Sequence, residues 1–397
     1  LFRDAFGYEP RGVWSAPGRV NIIGEHVDYN GGPCLPIALP HRAFVALSPR
    51  SDRTVRLVST QTREAIDVLD LDVIGPKGTP GEVANHWTAY LAGVAWALEQ
   101  AGYGPLPGFD AALWSCVPLG GGLSSSAALE CATAVALDEV CSLGLAGTIE
   151  APSDEGRKVL VDAARAAENQ VAGANTGGLD QTASLRSKPG QALVVDFRDF
   201  SIDPIHLNLQ KHGLSFLVVD TNTPHALAHN GFADRRAASE SCAKALGLTY
   251  LRDALPEDLA CAHHDEREAK EWRLELVDSS VNRSLTALEE REGPATFPRG
   301  WVRHAFHDMT LVGRASYLLK HADELGYRAF EEAGRIFTES FISMRDELRV
   351  SRPEIDAAVE ACLAHGALGA RIVGGGFGGA VMALVKTSRL EETAQVI

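Results

Sequence analysis

Two carboxylates and an imidazole, Glu25, His26 and Asp28, fall within four residues of the stretch APGRVNIIGEHVDYNGGPCLPIAL, Ala16 to Leu39. Turn formers Gly24 and Asn30-Gly31-Gly32 flank them, and Arg19 stands six residues before Glu25. Crowded on a loop, such groups accept from or donate to neighbouring hydroxyls, which is what recognition of a polyol or sugar requires. A metal site is the competing reading of the same trio, but no second His or Cys cluster lies at ligand spacing.

A second segment, VPLGGGLSSSAALE (Val117 to Glu130), supplies chemistry through its backbone. The consecutive glycines Gly120, Gly121 and Gly122 allow a sharp turn that brings several N–H groups toward an anion. The loop opens into an Ala-rich helix, so the N–H groups and dipole at Ser124, Ser125 and Ser126 face the loop and favour a phosphate. A plain strand-to-helix turn with serine caps is the bland alternative. The GxxxxGK[ST] pattern of a P-loop is absent, and the chain contains no Gly-Lys dipeptide. A third segment, GARIVGGGFGGA (Gly369 to Ala380), formally holds GxGxxG at Gly374, Gly376 and Gly379. The run AVMALVKT, from Ala380 onward, alternates like a strand, which removes the dinucleotide-binding reading. A strand-to-strand loop approaching a bound ligand remains. Neither DFG nor HRD occurs, which excludes a protein kinase.

These loops need elements to hold them. Strand-like runs occur at Phe44 to Leu47, Val55 to Val58, Ala192 to Asp196, Leu214 to Asp220 and Ala380 to Lys386. Helical periodicity covers Trp87 to Glu99, Ser125 to Val140, Arg157 to Val171, Ala329 to Leu348 and Pro353 to His365. The last begins Ser351-Arg352-Pro353-Glu354, which reads as a capping box. A polar stretch at 200–213 suggests a boundary between residues 1–205 and 206–397, and Asp253 to Arg291 reads as solvated helix faces or a surface insertion.

The chain has 397 residues, enough for two or three domains of ordinary size. Its net charge of −15 argues against any broad electrostatic hold on nucleic acid or anionic lipid, so a phosphate has to be held by a local device. No long apolar run suggests a membrane span, and the first dozen residues are charged where a signal peptide is apolar, so a cytoplasmic protein is expected. Seven cysteines, Cys34, Cys116, Cys131, Cys141, Cys242, Cys261 and Cys362, form no CxxC pair and read as reduced core thiols.

Together and in this order, the three segments resemble the signature motifs of the GHMP kinases, and GRVNIIGEHVDYNGG resembles the galactokinase signature. LPGFDAALWSCVPLGGGLSSSA, GGLDQTASL and SMRDELRVSRPEID also look like galactokinase sequence in register, so the resemblance covers nearly the whole chain. It implies an α+β GHMP-kinase fold, with an N-terminal half like ribosomal protein S5 domain 2, a ferredoxin-like C-terminal half and the active site between them. It further implies ATP and Mg²⁺: Gly120, Gly121, Gly122, Leu123, Ser124, Ser125 and Ser126 around the phosphates, Ser126 and Glu168 on the metal, and Trp87 on adenine. Glu25, His26 and Asp28, with the backbone at Gly178, correspond to the sugar site. Asp180 matches the catalytic base and Arg19 its partner. The implied reaction is phosphorylation of α-D-galactose at its C1 hydroxyl by a monomer.

Two positions depart from the family pattern. Phe232 stands where relatives usually carry a Tyr that touches the sugar, and Phe341 where they commonly have His. The first leaves sugar specificity open. Rival readings are a sugar-1-kinase acting on N-acetylgalactosamine or arabinose, and a catalytically silent galactose sensor. The sensor reading is disfavoured because Gly122 to Ala128, Glu168 and Asp180 are all present.

Overall fold

A computed structural model describes residues 1–62, 66–83, 86–148, 150–174, 176–223, 228–254, 286 and 299–397. Cys261 and, apart from 253, 254 and 286, the charged stretch Asp253–Arg291 lie outside them. The chain packs as two compact units that do not follow chain order. One comprises Leu1–Arg19, Ala38–Leu119 and Ser124–Ser187, the other Val20–Ile37, Gly120–Leu123 and Lys188–Ile397.

In the first unit, β3 (Pro36–Pro49) pairs antiparallel with β6 (Phe109–Ser115) from Ala43↔Ser115 to Pro49↔Phe109. β6 runs parallel to β4 (Thr54–Ser59), which pairs with β5 (Asp67–Asp70), and β1 (Gly12–Asn21) pairs with β3. Alternation sends Val45, Leu47, Val55, Leu57, Phe109, Ala111 and Leu113 inward. The four helices α2 (His86–Leu98), α3 (Ser125–Val140), α4 (Asp154–Ala166) and α5 (Leu179–Arg186) pack on one another. Gly93 permits a close approach: a Cβ there would lie 3.0 Å from that of Ala167. α3 is buried along most of its length, since its small side chains let neighbouring helices close in on every side.

In the second unit, β9 (Leu214–Asp220), β10 (Gly369–Val373) and β11 (Ala380–Lys386) form an antiparallel sheet in the order β10-β11-β9. The pair Val373↔Ala380 closes the β10–β11 hairpin, so the third glycine-rich segment is a strand-to-strand loop, as expected. Helices Tyr327–Ser343 and Pro353–Ala364 cover this sheet through a core of Phe341, Met344, Leu348, Ile355, Val359, Ile372 and Val381. Phe341 is therefore a core residue. β7 (Gln191–Asp196) pairs with β8 (Ser201–His206) and with the two-residue β2 (Pro33–Cys34). α6 (Ala228–Ala245) and the helix Arg299–Lys320 complete the elements that bear on function.

Two expectations need correction. The capping box does not form: Pro353 takes the first helical position and forces Arg352 into extended backbone as N-cap, so the Ser351 hydroxyl instead reaches Asp356 at 2.5 Å. Cys116 is exposed and Cys141 half-buried rather than in the core, whereas Cys34, Cys131, Cys242 and Cys362 are buried. No helix among the described residues is long and apolar enough to cross a membrane.

Candidate active site

Gly178, at φ +103°, is the N-cap of α5 and turns the chain so that Asp180 lies in the first helical turn, where the dipole favours a carboxylate. Arg19 places Nε and Nη2 on the same oxygen, Asp180 Oδ1, at 2.8 and 2.7 Å. The other oxygen accepts the hydroxyl of Ser124. Ser124 is the N-cap of α3 and adopts a left-handed conformation at φ +59°, so the residue that starts the helix also reaches the acid. Asp180 keeps 20 % of its side-chain surface exposed.

Beside it lies a second carboxylate. Glu168 sits in a wide helical turn, Ala167–Val171, that continues α4. Its Oε1 accepts from Ser126 Oγ at 2.9 Å, and its Oε2 from Thr176 Oγ1 at 2.8 Å and Gln181 Nε2 at 2.7 Å. The same Gln181 nitrogen donates to Glu130 Oε2 at 2.9 Å. Burial raises the pKa of Glu168, and the Asp180 charge adds to it. Glu130 is raised well above the usual range by burial and then by Glu168. The Ser126 and Glu168 oxygens suit a hard cation that keeps most of its waters, and a cation there would offset the crowded negative charge. Among the described residues no group of three or more His, Cys, Asp or Glu could hold a metal ion. Trp87, in the first turn of α2, is half-buried, and its indole N–H is buried without a hydrogen-bond partner.

In the second unit, Gly120 and Gly122 take positive φ of +73° and +69°, which makes the sharp turn expected of this loop; Leu123 is buried. The sugar-like trio separates by environment. Asp28 opens a short 3₁₀ turn, Asp28–Asn30, and is half-buried. Glu25 and His26 are almost wholly buried, at 5 % and 3 %. Glu25 Oε1 accepts the Gly374 N–H at 2.8 Å, and His26 places Nδ1 2.8 Å from the Tyr29 hydroxyl and Nε2 3.0 Å from the Gly375 carbonyl oxygen. The Phe232 ring packs on His26 at 4.8 Å and on Tyr29 at 5.5 Å between centroids. Arg252, fully buried, donates to the Gly31 carbonyl at 2.8 Å and fixes the far end of the trio's turn.

The motif reading did not find Gln181, Thr176, Glu130, Tyr29, Asp308 or Arg371. One of them left a signal: Arg371 is a charge inside the apolar strand GARIV, and a buried charge needs partners, here the Ile22 carbonyl at 3.0 Å and Glu25 at 3.7 Å.

Comparison with known proteins matches three stretches of the chain. Residues 1–49 match the galactokinase galactose-binding signature, residues 89–188 the GHMP kinases N terminal domain and residues 305–396 the GHMP kinases C terminal. The galactokinase of Streptomyces coelicolor is 39 % identical, covering 100 % of this chain and 90 % of its own. The human galactokinase is 37 % identical, covering 98 % of this chain and 87 % of its own. Among solved structures, Lactococcus lactis galactokinase complexed with galactose superposes with a TM-score of 0.79 at 27 % identity, covering 100 % of this chain and 91 % of that one. A mevalonate kinase shares the fold at a TM-score of 0.56 and 15 % identity.

Proposed function

The chain belongs to the galactokinases of the GHMP kinase family, and we propose that Asp180 and Arg19 carry the transfer of the ATP γ-phosphoryl group to the C1 hydroxyl of α-D-galactose. The enzyme is a kinase that uses ATP. The observation that carries the catalytic assignment is the pairing of Asp180 with Arg19 on one oxygen and with Ser124, the last residue before the phosphate-loop helix, on the other.

The anomeric hydroxyl is more acidic than an ordinary alcohol, so a modest base suffices. Asp180 Oδ2 accepts that proton or orients it, exchanging the Ser124 hydroxyl for that of the sugar, while Arg19 neutralises charge that develops on the transferring group. Attack of the C1 oxygen on the γ-phosphorus forms the new P–O bond in line with the breaking bond to ADP. Backbone N–H groups of Gly120 to Ser126 hold the phosphates at the N-terminus of α3, and Trp87 stacks on adenine. Ser126 and Glu168 would hold Mg²⁺, which when bound would neutralise phosphate charge. Asp28 and the wall at Phe232 face the sugar, with Glu25 and His26 beside that wall.

ADP release measured with galactose, ATP and Mg²⁺ tests the reading. Turnover that needs galactose supports it, and no galactose-dependent ADP release overturns it.

A further inference from the structure

The third glycine-rich loop, Gly374–Gly379, has no task in the reaction above, yet the structure holds it on both sides. Glu25 Oε1 takes the Gly374 N–H at 2.8 Å. The next residue, His26, meets the Gly375 carbonyl through Nε2 at 3.0 Å; a carbonyl only accepts, so Nε2 carries the hydrogen and Nδ1 accepts the Tyr29 O–H at 2.8 Å. Both ring nitrogens are thus spent within the protein. Burial lowers the His26 pKa to about 3, which keeps the ring neutral and this tautomer in place at ordinary pH.

The backbone of Glu25 is fixed as firmly as its side chain. Its N–H donates to Asp308 Oδ2 at 3.1 Å, and its carbonyl accepts from His304 Nε2 at 3.1 Å. Asp308 takes the Ser340 hydroxyl on its other oxygen, and His304 Nδ1 pairs with Ser343 Oγ at 2.9 Å. The loop has no slack on its other flank. A Cβ on Gly374, at φ +81°, would lie 3.3 Å from the Gly122 carbonyl of the phosphate loop. One on Gly375 would lie 3.0 Å from the Phe232 ring, and one on Gly376 2.6 Å from the Val350 carbonyl. Only glycine lets the three backbones come this close.

We propose that Glu25 and His26 are positioning residues that clamp the Gly374–Gly375 segment and through it seat the Gly122 turn, so that the sugar loop and the phosphate loop are set together. The inference rests on the proposed function for the identity of the two ligands, and it goes beyond a direct sugar contact for either residue. Its consequence is specific: damage to the sugar-loop side of the clamp appears on the nucleotide side.

The test uses the full chain and reads KM for ATP, KM for galactose and, by calorimetry, the affinity for Mg·ADP without sugar. His26→Ala, which deletes the donor to Gly375, is expected to weaken Mg·ADP binding and raise the ATP KM by about 5- to 10-fold, the scale of coupling between sites. His26→Gln, which keeps an N–H near the Nε2 position, restores most of that loss. Gly374→Ala gives a similar loss, and the double variant is no worse than the weaker-binding single one, because both act through one contact path. If His26→Ala does not fold, Tyr29→Phe, which removes only the partner of Nδ1, carries the test with an expected loss of about 2- to 3-fold. Mg·ADP affinity and ATP KM unchanged while galactose KM rises would overturn the clamp and leave the proposed function intact. A parent chain that binds Mg·ADP but never phosphorylates galactose would overturn that function, and the Mg·ADP affinities of the same variants would still decide the clamp.

Discussion

In the unit that holds Asp180, the carboxylate keeps 20 % of its surface exposed and shares its oxygens between an arginine and a serine; in the other unit, Glu25 keeps 6 % and spends its Oε1 on a backbone N–H. Both are acids in short glycine-flanked segments, and motif spacing treats them alike. The difference lies in what neutralises them. Asp180 is met on one oxygen by a serine hydroxyl that a substrate hydroxyl can displace, whereas Glu25 Oε1 is held by the Gly374 N–H with Arg371 3.7 Å away. We read an acid of the first kind as free to do chemistry and one of the second kind as holding a loop.

The largest test of that contrast is Asp180→Asn, which keeps the shape and removes the proton acceptor. Turnover is expected to fall by about 10²-fold or more, with galactose binding retained by calorimetry. Near-normal turnover would put Asp180 with Glu25 among the scaffold acids. Next come Glu168→Gln and Ser126→Ala, each expected to raise the Mg²⁺ concentration for half-maximal rate by about tenfold with galactose affinity unchanged, since each weakens one oxygen ligand. An unchanged Mg²⁺ titration would remove that pair from the metal site.

The two units also carry opposite pH signatures. Glu130 has a folded pKa above its unfolded value, so its contribution is complete below about pH 4.3 and is lost as pH rises above that. His26 has a folded pKa lowered to about 3, so its contribution is complete above about pH 6.5 and is lost as pH falls toward 3. Glu130→Gln should therefore melt higher than the parent at pH 8 and equal to it near pH 4. His26→Gln should flatten the decline between pH 6 and 4 by up to about 1.4 kcal/mol per pH unit. Parallel melting curves for parent and variant across either window would refute the corresponding assignment. The smallest effect is at Phe232. Its ring already packs on His26 and Tyr29, so Phe232→Tyr should raise galactose affinity by no more than about 1.5 kcal/mol, the net worth of one hydrogen bond, as read by calorimetry.

Much of this was legible in the chain. Helix Ser125–Val140 and strands Leu214–Asp220 and Ala380–Lys386 have the bounds their apolar patterns predict, because each is long, periodic and framed by turn residues. β1 was hidden, since Pro17 and Gly18 interrupt it, and β10 lies in what reads as the approach to a glycine loop. Within the site, residue types and order marked Asp180, Arg19, Ser126 and Glu168, and folding brings them together as two hydrogen-bonded pairs. The partners of Glu25 were not legible. Asp308 and Gly374 stand 283 and 349 positions away, and no local pattern announces a contact made only by tertiary packing.

This chain is a galactokinase, and we propose that it phosphorylates galactose at C1 through groups that read the sugar hydroxyls. That proposal is tested most directly by kcat/KM for galactose and glucose side by side, with the product followed by phosphorus NMR. The two sugars differ only in the orientation of the C4 hydroxyl, and a pocket of fixed acceptors penalises the misplaced group. Galactose 1-phosphate is the expected product, with a preference of about 10³-fold over glucose. Comparable turnover on the two sugars, or phosphate carried at another hydroxyl, would contradict it.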